Sequence, residues 1–143
     1  MKVAMGIEAQ ITTNLDTALA HRNMIDDIGD PARVKVVFDP TNMVHLYNYF
    51  HTTEMLNECF DLFGEEIYGC HAKDAYAAPH TQTVFVQQVT PGKGNLDYET
   101  FLVRLSRLKW PRSLTPEIRA DQFPEAYTYI RQVAAKVGVK IYG

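Results

Sequence analysis

Val34-Lys-Val-Val-Phe-Asp39 is a β-branched run that stops on a carboxylate. Three other short apolar segments end alike: Val3-Ala-Met-Gly-Ile-Glu8, Ile67-Tyr-Gly-Cys-His71 and Ser113-Leu-Thr-Pro-Glu117. Each stops on a side chain able to ligate a metal ion. The steps from Glu8 to Asp39, His71 and Glu117 are 31, 32 and 46 residues, and a β-strand with its crossover helix takes roughly 30 residues or more. The spacing is that of a repeated βα unit.

The sequence between these points fits that repeat. Leu15, Ala18, Leu19, Arg22 and Ile25 recur at helical spacing until Gly29 and Pro31 stop the pattern. Met55, Leu56, Cys59, Phe60 and Phe63 mark a second helix ending at Gly64. The third strand, 67–72, is followed by a connection to about Asp97 that is long for a βα loop and reads as a functional segment or lid. Asp97 is placed to cap a third helix carrying Tyr98, Phe101, Leu102, Leu105 and Leu108, which Pro111 breaks before the strand at 113–118. Pro124 opens a last helix with Ala126, Ile130, Val133, Ala134 and Val137 on its apolar face. Four consecutive βα units over residues 1–143 predict an α/β domain with a parallel sheet and helices outside it.

Strand parity decides whether the four terminal side chains can meet, because residues two apart share a face. Glu8 goes with Gly6 and Ala4, Asp39 with Val37 and Lys35, His71 with Gly69, and Glu117 with Thr115 and Ser113. Those companions are mostly small or polar. The opposite parity holds Met5, Ile7, Val36, Phe38, Tyr68, Leu114 and Ile118, a set suited to burial under helices. The polar face therefore reads as the inside of a barrel with the four ligands at its C-terminal mouth. A lone acidic residue at a strand end is usually solvated or a cap; four of one parity at the same end point to a site.

A complete (β/α)8 barrel takes about 250 residues, and this sequence supplies four of the eight strands. The fold expected is half a TIM barrel. An open parallel sheet leaves edges that invite association, and a two-fold axis along the barrel would pair the Glu8 strand with the Glu117 strand of a second copy. The leading expectation is a homodimer. Pro116 argues partly against it, because proline lacks the N–H of a central strand.

Composition narrows the partners. Fourteen basic against 17 acidic residues give a formal charge of -3, with no Lys/Arg cluster to follow a phosphate backbone, so nucleic acid is excluded as a default partner. Cys59 and Cys70 lack CxxC spacing and read as buried reduced thiols, which fits a cytoplasmic protein. The first eight residues turn acidic too soon for a signal peptide, and no apolar run approaches the ~20 residues of a membrane span.

The assembled residues resemble the sugar phosphate isomerase/epimerase superfamily, the xylose isomerase-like TIM barrels that include ketose 3-epimerases, inosose dehydratase and endonuclease IV. The carriers are Gly-Ile-Glu8, Phe-Asp39-Pro-Thr-Asn42, His71-Ala-Lys73-Asp74, Thr90-Pro-Gly-Lys-Gly94 followed by Asn-Leu-Asp97-Tyr98, and Pro-Glu117-Ile. The resemblance spans nearly the whole chain and covers the C-terminal half of the family barrel, strands five to eight. It implies one divalent metal, Mn, Co, Mg or Zn, held by Glu8, Asp39, His71 and Glu117. Three carboxylates and an imidazole suit a hard or borderline cation with an open coordination position. It also implies that Glu8 and Glu117 move protons next to a sugar or sugar-phosphate carbonyl through an enediolate. Asn42 falls where many relatives carry a substrate-binding histidine, and Lys73 and Asp74 either touch substrate or pair with each other. Ala77 and Ala78 stand where some relatives have an arginine, so no sugar specificity carries over. The endonuclease branch needs a further Asp-x-His pair where this chain has Val86-Gln-Gln-Val89.

Other features have plainer readings. Pro91-Gly-Lys-Gly94 either cradles a phosphate through backbone N–H groups or is a turn, and it lacks the Ser/Thr of a P-loop. His21, His45, His51 and His80 read as surface or loop residues. Tyr47, Tyr49 and Phe50 read as packing sooner than as a pocket wall. The alternatives to a metal-dependent isomerase/epimerase-like enzyme are a truncated, non-catalytic metal-binding remnant and one subunit of a split enzyme whose other half is encoded separately.

Overall fold

The computed structural model describes residues 3–78 and 84–142; His80 lies outside them. Four strands form a parallel sheet: β1 (Met5–Glu8), β2 (Val34–Phe38), β3 (Ile67–Ala72) and, after a hairpin, β6 (Ser113–Pro116). They lie in chain order, β1-β2-β3-β6, each pair parallel. Helices α1 (Ala18–Ile28), α2 (Thr52–Phe63), α3 (Tyr98–Ser106) and α4 (Phe123–Val137) complete the four units, and consecutive helices pack on one another. This is half of a (β/α)8 barrel, with β1 and β6 as its edges. Pro116 sits on the edge strand β6, where a missing N–H leaves no central ladder bond unmade.

The helices start and stop where local chemistry directs. Thr17 caps α1 by accepting from the Ala20 N–H, and Gly29 ends it in the left-handed conformation at φ 66°. Asp97 caps α3 through the Thr100 N–H, as expected, and Pro124 lies in the first turn of α4. The core lies between the sheet and its helices. Phe38 of β2 meets Phe60, Phe63 and Phe101 edge-on at centroid distances of 5.5, 5.5 and 6.0 Å, geometry in which the positive ring edge faces the negative ring face. Cys59 and Cys70 are buried free thiols, and burial pushes the Cys70 thiol up to about 12. No helix among the described residues is long and apolar enough to cross a membrane.

Three features differ from expectation. The Thr17 cap sets the buried line of α1 at Ala18, His21 and Ile25, so Leu19 is exposed and His21 is fully buried against Phe63. Burial holds the His21 imidazole below its ordinary value, with the Thr17 carbonyl acting in the opposite direction. Tyr68 and Met5, the latter on the edge strand β1, are 72% and 62% exposed instead of helix-covered. The β2–β3 register runs Val36↔Ile67 and then Val37↔Gly69, so Tyr68 is the extra residue of a bulge. Finally, the long connection before Asp97 folds back as an antiparallel hairpin, β4 (Asp74–Ala77) and β5 (Val86–Val89).

Candidate metal centre

Glu8 closes β1, Asp39 follows β2, His71 lies near the end of β3 and Glu117 follows β6. The registers keep all four on one face. Glu8 stands beside Val37, two residues before Asp39, and His71 stands beside Thr115, two residues before Glu117. The bulge at Tyr68 advances β3 by one residue, and that shift brings His71 level with Asp39. Gly6 and Gly69 keep the face open: a Cβ on Gly6 would come 2.9 Å from Val37 Cγ2, and one on Gly69 2.6 Å from Ser113 Oγ.

One ligand atom from each of the four residues lies within 4.8 Å of the others. His71 Nδ1 is 3.2 Å from Glu8 Oε1, 3.1 Å from Glu117 Oε2 and 4.0 Å from Asp39 Oδ2. Asp39 is fully buried; its Oδ1 accepts from the Thr41 N–H at 3.0 Å, while its Oδ2 faces the Lys73 ammonium. A buried carboxylate oxygen is costly to leave unpaired. Its one close cation is Lys73 Nζ at 2.9 Å, which also lies 2.5 Å from Glu117 Oε2. The three carboxylates, with one ammonium between them, and the imidazole together fit a divalent ion.

Lys73 is desolvated, which alone would lower its pKa, but its hydrogen bonds to Glu117 and Asp39 outweigh burial and hold the ammonium above its ordinary value. Lys73 in turn, aided by the field of His71 and opposed by slight burial, holds the Glu117 carboxyl below the usual range. Asn42 donates from Nδ2 to Glu8 Oε1 at 3.0 Å and accepts at Oδ1 from Gln88 Nε2 at 2.8 Å. Gln88 belongs to the hairpin and was not among the expected site residues; Val86-Gln-Gln-Val89 does not alternate and carries no local signal of it.

Glu8, Asn42, Lys73 and Glu117 line a common cavity of about 350 Å³. Asp74 does not join them. Its two oxygens accept N–H groups of Ala75 and Leu96 on Oδ1 and of Gly92 and Gly94 on Oδ2, at 2.8–3.1 Å. The Pro91–Gly94 loop thus wraps this chain's own carboxylate, and Lys73 and Asp74 do not pair with each other. Tyr49 is buried in the core while Tyr47 and Phe50 are exposed, and none lines the cavity. His45 bridges to the Asp16 carbonyl, and His51 is exposed.

A parallel half-barrel with a His/carboxylate cluster at the C-terminal ends of its strands belongs to the (β/α)8 class, whose sites lie at that face. The profile of the xylose isomerase-like TIM barrel family matches residues 2–137, and the chain belongs to that family. Among solved structures it is similar to a xylose isomerase-like TIM barrel protein from Mycobacterium smegmatis in complex with magnesium, at 20% identity and a TM-score of 0.69, over 94% of this chain and 44% of that one. It is similar also to the IOLI protein with a bound zinc atom, at 18% identity and TM-score 0.58, over 96% of this chain and 49% of that one. An L-ribulose 3-epimerase follows at 14% identity and TM-score 0.55, over 95% of this chain and 46% of that one. The chain spans about half the length of these relatives. No curated protein sequence matches it.

Proposed function

We propose that this chain carries the metal-binding half of a divalent-metal-dependent sugar isomerase or epimerase. The carrying observation is the meeting of four potential ligand groups at one point, with the Asp39 carboxylate fully buried among them. Glu8, Asp39, His71 and Glu117 hold the ion, which is Mn, Co, Mg or Zn; bound there, it supplies Lewis acidity at a sugar carbonyl.

The protein's own groups hold and move the protons. Lys73 keeps Glu117 ionised, the state from which a carboxylate accepts a proton from carbon next to a carbonyl. Asn42 Nδ2 and His71 Nδ1 fix Glu8 Oε1 from two sides, so Glu8 is oriented to hold or return a proton on the neighbouring carbon. Asn42 and Lys73 lie on the cavity wall and are the substrate contacts. Asp74 acts on substrate at one remove, by ordering the loop behind Lys73.

The working barrel needs a second half against edges β1 and β6, either a second copy of this chain or a complementary half-barrel of four βα units. Buried reduced thiols suit a cytoplasmic setting.

Calorimetric titration of metal-stripped protein tests the reading. About one divalent ion per chain is expected at micromolar concentration, and Asp39→Asn or Glu117→Gln should weaken it by more than about tenfold, the lower end of the cost of losing even an outer partner. Absence of any bound divalent ion at micromolar concentration would overturn it. Solution mass measured on the same sample separates the two sources of the second half, since a second copy would give a dimer of this chain.

A further inference from the structure

The sheet and its helices form a sandwich whose apolar middle is open at both edges, beside β6 and beside β1. On β6, Leu114 and Pro116 have the helix-facing parity, and with Trp110, Ile130 and Tyr142 they line a cavity of about 760 Å³ between α3, α4 and the residues after α4. Helix α4 turns toward α3 through Tyr129, whose ring meets Tyr98, and through Lys136, which pairs with Glu99. At 3.6 residues per turn, Phe123, Tyr127 and Arg131 lie on the opposite side, along the open flank, and all three are exposed.

The flank at β1 is built alike. Val3 and Met5 have the helix-facing parity and are exposed. Helix α1 turns toward α2 through Arg22, which bonds the Leu62 carbonyl and Glu66. Met24 and Ile28 lie on the side away from α2, with Asp27 beside them. Clustered exposed apolar side chains of this kind mark an interaction surface.

The two flanks fit each other. Each helix follows its strand, so all four start at the C-terminal face of the sheet and can be compared by counting from their first residues. Arg131 is eight residues into α4 and Asp27 nine residues into α1, about the same depth. With the α1 flank of one chain beside the α4 flank of another, cation and carboxylate come level, while Met24 and Met5 continue the apolar middle that Tyr127 and Leu114 leave open. Charge complementarity of this kind fixes register. A chain whose two open edges are complementary to each other is suited to associate with itself, and the assembly ends when the rotation closes. Four parallel strands are half of a (β/α)8 barrel, so two copies close the ring and leave neither edge bare.

We propose that the occupant of the β6–α4 flank is the β1–α1 flank of a second copy of this chain, in a two-fold dimer that forms one barrel; this rests on the reading that a second half completes the barrel. The dimer carries two clusters of Glu8, Asp39, His71 and Glu117 at one mouth, and Asp27–Arg131 is the charge pair that sets its register.

Sedimentation equilibrium of the full chain at micromolar concentration tests this, beside a separate metal titration. A single dimer with no larger species is expected. Two-fold symmetry makes each contact twice, so Asp27→Arg or Arg131→Asp alone should raise the dimer dissociation constant by about tenfold or more. Both substitutions in one chain exchange the charges and should bring the constant back to within about threefold of the unaltered protein, a recovery that a folding defect would not give. A monomer at these concentrations, a ladder of growing oligomers, a dimer indifferent to both reversals or a double variant as weak as the single ones overturns the proposal. A monomer that still binds a divalent ion overturns the pairing alone, whereas a dimer that binds none overturns the metal reading and leaves the pairing standing.

Discussion

Lys73 Nζ sits 2.9 Å from Asp39 Oδ2, so the ammonium directly meets a fully buried carboxylate. Both side chains are almost removed from water. Breaking such a pair leaves an uncompensated buried charge, at a cost of about 3 kcal/mol or more. Lys73→Met should therefore lower the melting temperature of metal-stripped protein by roughly 6–12 °C. A divalent ion supplies the missing charge, so added metal should raise the melting temperature of the variant by more than that of the unaltered chain. Calorimetric scans with and without metal check both. An equal metal-induced rise in the two proteins would show that Lys73 does not balance the ligand set.

The amide chain from Gln88 through Asn42 to Glu8 has a fixed polarity. A carboxylate only accepts, so Asn42 must turn Nδ2 toward Glu8 and Oδ1 toward Gln88, which then must donate. Gln88→Leu removes the outer donor and leaves Asn42 in place, and metal affinity should fall about threefold. Gln88→Glu replaces the donor by an acceptor, pulls the Asn42 NH2 outward and leaves oxygen facing oxygen at Glu8. The near-isosteric variant should thus weaken metal binding more than the truncation of polarity does, by tenfold or more. Titration of both variants, with their melting temperatures as a check on folding, decides it.

The order of strands and the meeting of the four strand-end side chains were legible because both follow from periodicity. Buried β-branched runs spaced by one βα unit give a parallel sheet, and shared parity gives a shared face. What escaped depends on single-residue shifts that periodicity does not carry. The parity of β3 was assigned through Tyr68 as though the strand were regular; His71 was placed correctly because counting back from the ligand avoids the bulge, whereas Tyr68 lies at the bulge itself. His21 was misplaced because the Thr17 cap, not the apolar pattern, sets the phase of α1. The roles of Asp74 and Gln88 arise from the hairpin folding back over the sheet, a contact between segments far apart in sequence.

Gly94 is required by close approach and not by its backbone angle. Its absent Cβ makes room for the Ala75 carbonyl and Asp74 Oδ1, and Asp74 in turn holds four N–H groups of this region. Gly94→Ala should cost about 2–4 kcal/mol, the range of substitutions that break a buried hydrogen-bonded network. Because the loop lies behind Lys73, the loss should appear in thermal stability and in exchange protection of the Gly92 and Leu96 amides. Unchanged protection of these amides would mean that Asp74 does not organise the loop.

Asp97 gives the protein an acid-sensitive element away from the candidate metal centre. Partial burial opposes its charge, but hydrogen bonds from Thr100, Thr53 and the Glu99 N–H outweigh burial and hold its carboxyl below the ordinary 3.8. The group is thus more readily ionised in the folded chain than in the unfolded one. The stability it contributes is present above pH 3.8 and is lost as pH falls through the lowered folded value. Asp97→Ala should cost about 1 kcal/mol at pH 7, and the difference from the unaltered chain should shrink below pH 3.8 as the native carboxylate is protonated. Asp97→Asn keeps a capping oxygen for the Thr100 N–H and should lose less at pH 7, with a flatter acid profile. Urea unfolding of the three proteins from pH 7 down to pH 3 measures this, and a difference between Asp97→Ala and the unaltered chain that grows toward acid would contradict the assigned sign.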